Sequence, residues 1–164
     1  MREQLIDKMK NAFGDDIKRI NHALAVLDYA EAIRAAEGGD LMIVQAAAIL
    51  HDIGIPEAFR KYGSTAGVHQ EVEGPPIADA IMKSLAIGDE ARSHVCLIIG
   101  SHHTGNKIDT PEFRCIWDAD WIVNLGGDYE AWPPEKKQHV ITKHFRTETG
   151  KRLAREKFGL KQEG

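Results

Sequence analysis

His51 and Asp52 are adjacent, and they close the run of small apolar residues in AAAILHDIGIPEA, Ala46 to Ala58. Such a run reads as a buried helix. A buried charge costs several kcal/mol unless something compensates it, so the pair either marks a helix end at the surface or meets a charge inside. Other ionisable residues recur at inward positions. His22 shares a helix face with Ala25, Val26 and Tyr29, at spacings of three, four and seven. His51 follows Val44, Ala47 and Ala48 on one face, and His102-His103 ends an apolar helix after Leu97, Ile98 and Ile99. Asp118 and Asp120 lie inside CIWDADWIV, between aromatic and aliphatic neighbours. Imidazole nitrogen and carboxylate oxygen are ligands for divalent first-row metals, and helix-bundle interiors are common places for such sites. A metal is the charge these residues would meet.

Helical signals dominate the elements that must position them. DDIKRINHALAVLDYAEAIRAAEGG opens on acidic residues and stops at Gly38-Gly39. Asp40 reads as the cap of LMIVQAAAILHD, which Gly54 and Pro56 end. FRKYGSTAGVHQEVEG is glycine-rich and polar and reads as a loop, with a new helix starting at Pro75-Pro76. Asp89 is expected to cap DEARSHVCLIIGSHH, and Thr110-Pro111 to open PEFRCIWDADWIVNLGG. PPEKKQHVITKHF and TGKRLAREKFG complete the chain. No segment shows sustained alternation or a repeat, so the expected fold is all-α, roughly seven or eight helices around one core.

The 164 residues suit a single domain, 1–164, and 43% hydrophobic with 28% charged residues is the composition of a globular protein. The net charge is −4 with both signs interspersed, which excludes a broad basic face for nucleic acid. Cys96 and Cys115 form no CxxC pair, which fits a reducing compartment. The N-terminal MREQLIDKMKNAFG lacks the apolar core of a signal peptide, and no run is expected to span a bilayer. The expected location is cytoplasmic, with no membrane or nucleic-acid partner and no indication of oligomeric state.

The order of the candidates resembles the HD-domain superfamily of metal-dependent phosphohydrolases, whose signature is a histidine, an adjacent His-Asp pair and a distal aspartate. Here these match His22, His51-Asp52 and, of the two acids in DAD, Asp120, because the family's usual pattern is Ala-Asp before a bulky residue. His69 and His102-His103 look like the extra ligands of the binuclear subgroups, including the HD-GYP phosphodiesterases. The resemblance implies two divalent ions (Fe, Mn, Zn, Ni, Co or Mg), with Asp52 bridging them. One would take His22, His51, Asp52 and Asp120, and the other Asp52, His69, His102 and His103. The Gly-Tyr-Pro motif is missing and Ile55 replaces the lysine of HD-x-G-Lys, which argues against cyclic di-GMP as substrate.

Two divalent ions on two aspartates and neutral imidazoles would leave a site of about +2, suited to an anionic substrate. Ions about 3.5–4 Å apart hold both oxygens of an in-line displacement and activate a hydroxide. The implied activity is hydrolysis of a phosphate mono- or diester, nucleotide-like in character, with Asp52 as the residue on which catalysis depends. Arg60, Lys61 and Lys107 flank the presumed site and are the candidates for binding the phosphate. Two other functions are the alternatives: a mixed-valent di-iron oxygenase of HD type, which shares the ligand order, and a non-catalytic metal-stabilised module that binds a nucleotide. The second histidine of His102-His103 favours hydrolysis, since it fills a position that oxygen chemistry would want open. His94, His139 and His144 match nothing in the pattern. Trp117 and Trp121 read as core, and Asp118 as a cap, a residue orienting a ligand, or a proton donor.

Overall fold

The computed structural model describes residues 1–163, and its helices are α1 (Arg2–Phe13), α2 (Ile17–Glu37), α3 (Leu41–Leu50), α4 (Ile55–Tyr62), α5 (Gly67–Ser84), α6 (Asp89–Ile99), α7 (Pro111–Leu125), α8 (Pro134–His144) and α9 (Glu148–Phe158). No strand occurs among the described residues. Local chemistry explains most of the starts. The side chains of Asp16, Asp40 and Thr110 accept from the backbone N–H of Arg19, Ile43 and Phe113, which satisfies an orphan donor at the head of α2, α3 and α7. Thr147 does the same for α9 through Gly150. Asp89 falls one residue short of its expected role: Gly88 is the cap, and Asp89 lies in the first turn of α6.

Nine helices stand among the described residues against the seven or eight expected, α1 and α4 being the additions, and the widest departure is at the stretch 59–74. In place of a loop, the chain forms α4 and the first half of α5, with only a short link between them. Gly63 ends α4 in the left-handed conformation, with φ of 62°. Pro75 and Pro76 lie inside α5 rather than at its start. Proline removes a backbone donor and costs about 3 kcal/mol in a helix interior, so local preference is overridden here by packing. Gln70, Glu71, Glu73, Gly74, Ala78 and Met82 are all buried on this helix.

α3 is the central helix, in contact with α1, α2, α6 and α7. Ala46, Ala47 and Ala48 are fully buried, and their small side chains let those neighbours approach closely. Around it Leu27, Leu50, Ile98, Phe113, Ile116 and Ile122 join one continuous apolar core. The segment Leu41–Tyr62 is long and apolar enough to cross a membrane by length and composition, contrary to the expectation above. In the fold it is α3 and α4 broken by a turn at 51–54, and 67% of its most apolar window is buried inside the protein.

Candidate metal centre

α3 stops at Leu50, and His51 and Asp52 occupy the turn that follows it. His51 is fully buried, and its Nδ1 donates to the carbonyl of Ala48 at 2.7 Å. A carbonyl can only accept, so Nδ1 carries the proton and Nε2 presents a lone pair. The same arrangement recurs after α6. His102 Nδ1 donates to the Ile99 carbonyl at 2.6 Å, leaving its Nε2 bare. Each ring thus fills a carbonyl at its helix end, where the helical ladder runs out, and turns its Nε2 inward.

α2 and α7 bring the remaining members. His22 Nε2 lies 3.2 Å from His51 Nε2 and 3.0 Å from Asp120 Oδ1. Asp52 Oδ2 is 3.4 Å from both histidine nitrogens, and Asp120 Oδ1 is 3.5 Å from His51 Nε2. Asn124, one turn along α7, donates to Asp120 Oδ1 at 3.1 Å. Asp52 Oδ1 faces the other way, 3.4 Å from His102 Nε2. The two oxygens of Asp52 therefore address two separate groups, His22 with His51 and His102 with His103, each a triad compact enough to hold an ion.

Lone pairs facing one another at these distances are satisfied by shared protons or by a cation between them. Among the described residues, His102 Nε2 is the buried side-chain polar atom without a hydrogen-bond partner. It points at a carboxylate oxygen that likewise carries no proton. Donors around a small divalent ion at about 2.1 Å lie about 3.3 Å apart, which matches the spacings of the first group. The electrostatics agree. Burial opposes charge on His51, yet Asp52 and Asp120 beside it raise its pKa well above the ordinary 6.5. Burial likewise opposes charge on both carboxylates, but the neighbouring imidazoles hold Asp52 and Asp120 well below the usual range. The pocket stabilises a cation at its centre, and the residues fit a divalent metal.

This geometry is accompanied by a family match. The HD domain family model covers residues 19–125 of the chain. The chain belongs to the HD-domain family. A crystal structure described as a predicted HD superfamily hydrolase, from an uncultured Thermotogales bacterium, shares 24% identity and aligns with a TM-score of 0.73. The alignment covers 96% of this chain and 84% of that one, and at this identity it speaks for the fold. No curated protein matches. Asp52 of this HD domain lines a cleft of about 530 Å³ together with His22, His103 and Asp120, with His51 buried behind it.

Several candidates from the sequence lie elsewhere. His69 is in the first turn of α5, not in a loop, and its ring lies flat on Tyr62 with centroids 3.9 Å apart. It belongs to neither triad. Arg60 pairs with Glu57, Lys61 with Glu73 at 3.1 Å, and Lys107 Nζ donates to the Gly100 carbonyl at 2.8 Å. None of the three lines the cleft. The cations that do are Lys18, Arg19 and Lys157, accompanied by Gln70, Asn124 and Tyr129. Arg19 precedes His22 by three residues on one helix, a spacing that sequence alone puts on a shared face. Lys157 comes from α9 and has no such local signal. Trp117 and Trp121, expected in the core, pack against it half-buried and also line a smaller recess of about 120 Å³ beside His102 and His103.

Asp118 faces away from the centre. Its carboxylate accepts from the backbone N–H of Arg146 and Thr147 and from the Thr147 hydroxyl, at 2.7 to 2.8 Å. Of the three roles open to it, the geometry selects capping: it ties α7 to the start of α9. Two glycines show how tightly the centre is enclosed. A Cβ on Gly54 would lie 2.6 Å from the Gly74 nitrogen, and one on Gly67 would lie 2.6 Å from the His103 ring.

Proposed function

We propose that the protein is a metal-dependent phosphohydrolase that cleaves a phosphate mono- or diester of a small, nucleotide-like molecule. One observation carries the reading: Asp52 turns its two oxygens to two histidine groups at the floor of an open cleft. We assign His22, His51, Asp52 and Asp120 to one ion and Asp52, His102 and His103 to a second, within a single domain over 1–164. Divalent cations held there would supply positive charge to a phosphoryl oxygen and acidify water.

The rest of the chemistry belongs to the chain. Asp52 sets the spacing of the two groups, and the two helix-end carbonyls keep His51 and His102 in the metal-binding tautomer. Lys18, Arg19 and Lys157 draw an anion into the cleft. Asn124 and Gln70 add amide hydrogen bonding, and the Tyr129 ring, stacked on Trp132 at 4.2 Å, offers a flat apolar wall. Arg60, Lys61 and Lys107 lie outside the cleft lining and take no part in this arrangement.

The test is a panel of phosphate mono- and diesters offered with Mn²⁺, Co²⁺, Ni²⁺, Fe²⁺, Zn²⁺ or Mg²⁺, under reducing and aerobic conditions. The expected result is phosphate release that needs a metal and rises in KM when Arg19 or Lys157 is replaced by Met. Substrate-dependent oxygen consumption by the iron form without phosphate release would replace hydrolysis with oxidation.

A further inference from the structure

The second histidine group sits on a turn, and a turn after a helix end is a poor platform for a ligand. α6 ends at Ile99, capped by Gly100, and residues 101–104 continue as turns. The His102 N–H reaches the Ile99 carbonyl only at 3.5 Å, so the helical ladder has all but ended there. The next two backbone donors go to a side chain from another helix. Glu71 Oε2 accepts from the His103 N–H at 3.2 Å, the Thr104 N–H at 3.0 Å and the Thr104 hydroxyl at 3.0 Å. Successive N–H groups converging on one carboxylate oxygen form an anion-binding concavity.

Glu71 is buried, with 7% of its surface exposed. A buried carboxylate is costly unless fully hydrogen-bonded, and here its acceptor oxygen meets two backbone N–H groups and the Thr104 hydroxyl, whose one proton Asn106 Oδ1 also faces. Glu71 belongs to neither histidine triad, and its Oε2 faces the turn. Its neighbours on α5 serve the same turn. Gln70 Oε1 lies 2.9 Å from His103 Nε2 while the Gln70 amide donates to the Thr65 carbonyl, and Gly67 leaves room for the His103 ring. We infer that Glu71 is a positioning residue: it clamps the His102–His103 turn to α5 and so presents both imidazoles to Asp52. This inference rests on the two-ion reading above for its functional meaning, while the clamp itself concerns the polypeptide alone.

The experiment compares wild type with Glu71→Ala and Glu71→Gln in two measurements: amide hydrogen exchange in the metal-free protein, and calorimetric titration with Mn²⁺. In Glu71→Ala the His103 and Thr104 amides should exchange at least about tenfold faster. Binding of the second ion should weaken about 10- to 100-fold with the first unchanged. Because all three bonds meet on one oxygen, the carboxamide of Glu71→Gln should restore exchange and affinity to within about threefold. A protein altered merely by loss of packing would not be rescued in this way. Unchanged exchange and unchanged second-ion affinity in Glu71→Ala would overturn the inference, as would a Glu71→Gln variant no better than Glu71→Ala. A wild type that takes up a single ion would defeat the two-ion reading instead, and the clamp would then stand or fall on exchange alone. Should Glu71→Ala fail to fold, Thr104→Val removes one of the three donors: faster exchange at residue 104 supports the clamp, and wild-type protection refutes it.

Discussion

The two halves of the centre are built differently. His22, His51 and Asp120 come from α2, the end of α3 and α7, three helices packed through the apolar core. Their positions follow from helix register, and few further bonds are needed to aim them. His102 and His103 lie beyond the end of α6, on a turn aimed by Glu71, Gln70 and a glycine of α5. The first half inherits its geometry from the core; the second is held by side chains that a single substitution can release. A centre with one rigid and one tethered half should lose its halves separately.

Asp52 is the exception that joins them, and its removal should have the largest effect. Asp52→Ala is expected to lower phosphate release at least about a hundredfold, since several kcal/mol of stabilisation at the centre disappear. The far-ultraviolet circular dichroism should stay helical. Near wild-type turnover would falsify the assignment. Chelation follows in size. Saturating metal at about 100 times its Kd contributes about 2.7 kcal/mol, so stripping it should lower Tm by about 5–10 °C. A melting curve unmoved by exhaustive chelation would mean that these side chains hold no ion in solution.

Asp118 tests whether α7 serves the centre through Asp120 alone. Asp118→Ala strands three donors and should cost about 3 kcal/mol of stability in chemical denaturation, with first-ion affinity unchanged. Burial pushes the Asp118 carboxyl up to about 6 from 3.8, against the pull of its hydrogen bonds. Between those values the folded chain binds a proton that the unfolded chain has released. The contribution of this group is therefore largest below about pH 4 and is lost as pH rises through about 6. The stability difference between wild type and Asp118→Asn, followed across that range, should show this slope, and a difference independent of pH would exclude it. The smallest effect is expected of His69→Ala. With its ring stacked on Tyr62, metal content should stay within about ten per cent of wild type; loss of one ion would return His69 to the second half.

What the sequence disclosed follows the same division. Caps are local chemistry, so Asp16, Asp40 and Thr110 announced their helices. The inward histidines of α2 and α3 were legible because apolar periodicity marks the buried face. The stretch 59–74 was misread because glycines and polar residues signal a loop and two prolines a helix start, whereas packing against α6 and the turn at 51–54 makes it helical. The cleft cations were misplaced for a related reason. Nearness in the chain suggested Arg60, Lys61 and Lys107, but Lys157 reaches the cleft from α9 by tertiary packing that no local pattern encodes.

Gly54 and Gly74 meet backbone to backbone, with no side chain lying between them. Elsewhere in the protein a layer of side chains can change rotamer and absorb a small displacement. Here there is no such cushion, so the turn bearing Asp52 and the middle of α5 must travel together. Any ligand that shifts α5 would carry the Asp52 carboxylate with it, and the helix that holds one histidine group is also the ruler for the distance between both.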